Sequence, residues 1–176
     1  MTVRSIFAKS MLGGLITTAL GVTALIWVSE FRAQATPPSN ISFTPVGRAT
    51  LPAFDVKRKE KALDWEVRLD APQPLDVATQ IVTFQPGGYS GWHTHPGPVI
   101  FTVRTGTLTV YEGDDPSCQP HIFTAGTGML EAATNTHIHM VRNETGSVAE
   151  ALVTYIVPVG ANPLRTDLSN PGNCPF

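Results

Sequence analysis

Apolar residues recur along this chain mostly at every second position, the period of a half-buried strand. Residues 64–70 read Asp-Trp-Glu-Val-Arg-Leu-Asp, a polar–apolar alternation. Residues 77–84 form a β-rich run after Pro72 and Pro74. Residues 99–103 and 107–111 flank Thr105-Gly106 and predict a hairpin. Further strands are expected at 121–124, 129–133, 138–142 and 148–157, separated by turns at 125–128 and 143–146. The one helix candidate, residues 57–67, is short and carries no apolar stripe at helical spacing. Seven or more short strands divided by glycine and proline turns predict an all-β fold, an antiparallel sandwich or barrel with few or no helices. The barrel is expected over residues 48–163, with a linker at 36–47 and a C-terminal tail at 164–176.

Composition adds an N-terminal exception to that pattern. Arg4 and Lys9 precede an uncharged apolar run, residues 11–28, and Ala33-Gln34-Ala35 follows as a small-x-small signal. Residues 1–35 therefore read as a secretory signal peptide cleaved after Ala35. The run is also near the length that spans a bilayer, so an uncleaved N-terminal membrane anchor is the other reading. Both place the domain outside the cytoplasm, periplasmic or extracellular. Thr36-Pro37-Pro38 then suggests an extended linker. In an exported chain the two cysteines, Cys118 and Cys174, are expected to form a disulfide that ties the tail to the body. The net charge of −2 offers no footprint for nucleic acid, and residues 57–61, Lys-Arg-Lys-Glu-Lys, read as a solvated face. Without a Gly-x-Ser-x-Gly, a phosphate loop or a Rossmann fingerprint, hydrolase-triad and nucleotide-binding readings fall away.

Chemistry concentrates in two His-x-His pairs. His93 and His95 follow a glycine-rich turn; His137 and His139 lie about 45 residues later. Alternate residues of a strand share a face, so each pair can present imidazoles side by side. Together the pairs use four of the five histidines, and His121 reads as a surface residue. Neutral imidazole suits a divalent transition metal, and the candidates are Fe, Mn, Zn, Ni and Cu.

The surrounding residues resemble the cupin superfamily. Its first motif is Gly, five residues, His-x-His, three or four residues, Glu, six residues, Gly; Gly87, His93, His95 and Gly106 fit it. Its second is Gly, five residues, Pro-x-Gly, two residues, His, three residues, Asn; Gly128, His139 and Asn143 fit, with Thr134 and Thr136 where Pro and Gly are usual. The resemblance implies a double-stranded β-helix, the jelly-roll barrel of a small single-domain cupin, with His93, His95 and His139 on a divalent metal. It also implies a possible homodimer. Tyr89, Trp92 and Tyr111 are candidates to line the barrel mouth, and Arg104 or Arg142 to meet an anion.

One departure stands out. The family's Glu should fall at Val99 or Ile100, and neither can bind a metal. Three solutions stay open: a site of three histidines with an additional open position, His137 as a fourth nitrogen, or Glu131 as a carboxylate from elsewhere. An unreplaced Glu would leave the site more positive and favour an anionic chelating ligand. The expected function is that of an exported metal-binding cupin, in one reading a dioxygenase-like oxidoreductase acting on a small oxygen-chelating substrate. The alternative is a non-catalytic envelope protein that binds a small ligand or holds metal.

Overall fold

A computed structural model describes residues 34, 36–131 and 137–176, so the 1–35 leader reading and Thr134 and Thr136 lie outside or almost outside the described residues. Twelve strands follow in chain order: β1 (Ser39–Leu51), β2 (Phe54–Glu60), β3 (Trp65–Ala71), β4 (Leu75–Tyr89), β5 (His93–Thr94), β6 (Val99–Thr105), β7 (Thr107–Glu112), β8 (His121–Thr124), β9 (Gly128–Glu131), β10 (His139–Arg142), β11 (Ala149–Pro158) and β12 (Thr166–Asp167). The described residues hold no α-helix, only a 3-10 turn at Lys61–Leu63. None of their helices is long and apolar enough to cross a membrane.

Ten strands form one antiparallel sheet curled into a nearly closed barrel. Its main order is β12-β5-β10-β4-β11-β6-β9; β1 adds to β4, and β7 joins β10 to β8. The alternation in sequence becomes an inner and an outer face. β4 turns Ala78, Val82 and Phe84 inward, β6 turns Val99, Phe101 and Val103, and β11 turns Ala149, Ala151, Val153, Tyr155 and Val157. Each such large apolar side chain contributes about 1.5–3 kcal/mol on burial. The predicted hairpin of residues 99–103 and 107–111 does not form: β6 pairs with β11 and β9, and β7 with β10 and β8. Gly106 instead turns the chain from β6 to β7 at φ +75, where a Cβ would lie 2.8 Å from that of Ala149. Both the left-handed backbone and the close approach require glycine.

Three further expectations change. The helix candidate is the β2–β3 hairpin, a two-stranded sheet separate from the barrel. The residues read as a linker, 36–47, instead carry most of β1, which pairs with β4 from Ser39↔Tyr89 to Leu51↔Leu75. Pro37 and Pro38 precede that strand and so remove no ladder donor from it. The tail is structured as well: β12 pairs with β5, Thr166↔Thr94 and Asp167↔His93. Cys118 and Cys174 form a disulfide across a separation of 56 residues. Closing a loop of that size is worth roughly 4 kcal/mol in the chain-entropy account.

Candidate metal centre

Sheet register brings the histidines together. β10 pairs with β5 so that His139 lies directly opposite His93. His95 follows two residues later, and the three ring centroids are 4.4–5.2 Å apart. One candidate ligand nitrogen from each lies within 4.8 Å of the others, so the three could hold a metal ion. All three rings are buried.

Two of them are aimed by the backbone. His93 Nδ1 lies 2.9 Å from the carbonyl of Gly91, and His95 Nδ1 lies 2.9 Å from that of Leu164. A carbonyl only accepts, so each Nδ1 carries its proton and each Nε2 presents a lone pair. His93 sits well below its ordinary 6.5: burial is the main cause, with the charges of His139, Arg165 and His95 adding to it. It is therefore neutral, as a metal ligand must be. Its strand is clipped in place by Ser90, whose Oγ accepts from Val141 N at 2.8 Å and donates to Gly91 O.

Glu131 lies beside the three histidines. It ends β9, which pairs with β6 so that Glu131 stands opposite Val99. Cross-strand neighbours share a face. A carboxylate from β9 thus stands opposite the Val99 position. Glu131 Oε2 lies 3.3 Å from both His95 Nε2 and His139 Nε2. The close contacts do not meet hydrogen-bond geometry: Glu131 Oε2 and His139 Nε2 are both buried without a hydrogen bond. Buried polar atoms without partners are costly. Three imidazoles and a carboxylate with orphaned atoms turned on one another fit a divalent transition metal.

The remaining candidates separate. His137 does not join the three. β10 begins at His139, so His137 precedes the strand, and its Nε2 lies 3.2 Å from Glu112 Oε2. With Glu131 present, the site does not carry the extra positive charge expected from Val99. Trp92 and Tyr111 pack in a small cluster with Met140 and Cys174. Arg104 pairs with Glu150 at 3.3 Å, and the Arg142 guanidinium stacks on the rings of Tyr89 and Phe176 and pairs with Glu144. Asn143 is the turn residue expected: its Nδ2 donates to Phe84 O, Gln85 O and Ser147 O.

Sequence reasoning missed the support from the segments before β1 and after β11. Thr36 Oγ1 accepts from Trp92 N at 2.7 Å, and Leu168 N donates to Trp92 O at 2.8 Å. Arg165 donates to Ser90 O and pairs with Asp167. A cavity of about 30 Å³ lies beside His93, His95 and Glu131, walled by Phe101, Tyr155 and Arg165 among others. Tyr155 is pushed up to about 12, chiefly by burial, so it is a neutral phenol at neutral pH.

A family model of the cupin domain matches residues 80–155. Those residues are a cupin domain, and they hold the centre of the barrel. Solved cupin structures are similar in fold. One is an oxalate oxidase, at 25% identity over 49% of this chain and 50% of that chain, with a TM-score of 0.39. Another is an oxalate oxidase in complex with the substrate analogue glycolate, at 19% identity, 72% and 54% coverage and a TM-score of 0.46. A third is a Cupin 2 conserved barrel domain protein from Salinispora arenicola, at 20% identity, 45% and 61% coverage and a TM-score of 0.39. This cupin spans about half the length of those two oxalate oxidase chains. No curated protein matches it.

Proposed function

We propose that this cupin is an exported, metal-dependent oxidoreductase of the dioxygenase kind, acting on a small oxygen-chelating substrate. The observation that carries the reading is the buried cluster of His93, His95 and His139 with the Glu131 carboxylate against it, in which Glu131 Oε2 and His139 Nε2 lack any other partner. These four residues would hold the metal. A bound divalent ion supplies Lewis acidity or, if redox-active, electron transfer. The chain's own residues do the rest. Gly91 and Leu164 carbonyls orient two ligands, Phe101 and its apolar neighbours exclude water, and Tyr155 keeps a phenolic proton at the cavity wall. The disulfide is compatible with export, since such bonds persist in oxidising compartments.

The test is metal analysis of purified protein, then oxygen consumption with Fe(II) or Mn(II) across small phenols, diketones and organic acids. One metal per chain is expected, lost in His93→Ala and weakened in Glu131→Gln. Binding should also weaken in acid, where protons compete for the imidazoles. Protein that stays metal-free in supplemented medium contradicts the metal site. A loaded sample that consumes no oxygen contradicts turnover. One observation favours a second reading, metal storage or sensing without catalysis: 30 Å³ holds little more than a water molecule.

A further inference from the structure

Among the described residues, no other strand covers the β2–β3 hairpin. Pro52 separates β2 from β1, and Pro72 and Pro74 separate β3 from β4. Neither strand packs extensively on any other strand. A two-stranded hairpin alone in water is marginal, so this one calls for a partner.

Its register sorts the side chains sharply. Lys57↔Arg68, Lys59↔Glu66 and Asp55↔Asp70 share one face. That face is charged and internally satisfied: Glu66 pairs with Lys57 and Lys59, and Arg68 pairs with Asp55 and Asp70. The other face carries Phe54↔Ala71, Val56↔Leu69, Arg58↔Val67 and Glu60↔Trp65. On it Val56 is 49% exposed, Leu69 54% and Trp65 50%, and Leu63 at the turn is 77% exposed. Arg58 and Glu60, the two charges on this apolar face, have no ion-pair partner among the described residues.

We propose that this face is the interface of a two-fold homodimer, each hairpin stacking its apolar side on that of a second copy. The pattern is self-complementary. A two-fold axis between positions 58 and 60 sets Arg58 of each copy against Glu60 of the other, forming two ion pairs while Val56, Leu69 and Trp65 interleave. Half of Trp65, an aromatic side chain of ~150–250 Å², joins the exposed parts of Val56 and Leu69 in the apolar contact of each copy. An anionic membrane is a poorer occupant. The hairpin carries five basic and five acidic residues and so has no net attraction for it.

The test is sedimentation of the purified full chain at micromolar concentration. The expected mass is twice 18.9 kDa. Leu69→Glu should halve it while far-UV circular dichroism and metal content stay unchanged. Arg58→Glu should also give monomer, because like charges then meet across the axis. Arg58→Glu with Glu60→Arg should restore the dimer, which a folding defect could not do. A monomeric wild type overturns the proposal, whether free or bound to vesicles of neutral or anionic lipid. So does a dimer that survives both single changes, or a double charge exchange that stays monomeric.

Discussion

In the barrel, β4, β6 and β11 turn Val82, Phe101 and Val153 inward against one another; in the hairpin, β2 and β3 turn Val56 and Leu69 out to solvent. Both regions show period-two alternation, and both pair antiparallel. Alternation fixes which residues share a face. It does not say what covers that face. In the barrel the cover is the sheet itself, curled until inner positions from distant strands meet. In the hairpin, prolines at 52, 72 and 74 interrupt the ladder, and two strands are too few to curl over themselves. The same pattern therefore builds a core in one place and leaves a sticky surface in the other.

The largest effect should come from opening the barrel interior. Phe101 is 2% exposed and packs edge-on against Phe123, with ring centroids 6.0 Å apart. Phe101→Ala removes that volume and leaves a cavity beside the histidines. It should cost about 3–5 kcal/mol, read as a lower denaturation midpoint. A loss below about 1 kcal/mol would mean that the interior collapses around the gap, and the contrast with the hairpin would weaken.

Much of the candidate metal centre was legible in sequence, because His93 and His95 stand two residues apart after a glycine-rich turn and His139 falls at the spacing of a second His-x-His. Glu131 was visible only as one of three alternatives. Its place depends on the β6–β9 register, a pairing between residues 32 positions apart that no local pattern reveals. The carbonyls of Gly91 and Leu164 and the hydroxyl of Thr36 left no signal at all. Backbone acceptors have no residue signature, and a proline-rich or polar segment reads as linker or tail until its partner strand is known. The hairpin was half legible: residues 64–70 announced β3, whereas the charges at 57–61 masked β2.

A smaller effect should appear at the edge of the barrel, where polar groups take over from packing. Asp76 is buried at the start of β4. Hydrogen bonds from Thr50 Oγ1, Gly160 N and Arg48 hold its carboxyl at about 2, below its ordinary 3.8. The unfolded chain takes up this proton first as the pH falls, so the carboxylate stabilises the fold fully above about pH 4. That contribution fades as the pH drops to about 2 and is gone below it. Thermal melts across this range should show a decline that is shallower in Asp76→Asn. Parallel declines in the two proteins would remove Asp76 from the account.

The smallest effect on the stability of the single chain should come from the hairpin, and it completes the contrast. Leu69 is as apolar as Phe101, yet it is half exposed, so Leu69→Ser takes little apolar surface out of a buried environment. In dilute protein, where only monomer is present, the change should stay within about 0.5 kcal/mol, the range of ordinary surface substitutions. At high concentration the same variant should melt lower than the wild type, because association stabilises the folded state by mass action and the variant loses that gain. A concentration-dependent midpoint in the wild type but not in Leu69→Ser would therefore locate the hairpin's missing cover in a second molecule. If Leu69→Ser destabilises dilute protein as strongly as Phe101→Ala, the hairpin face is covered within the chain, and the distinction between the two regions fails.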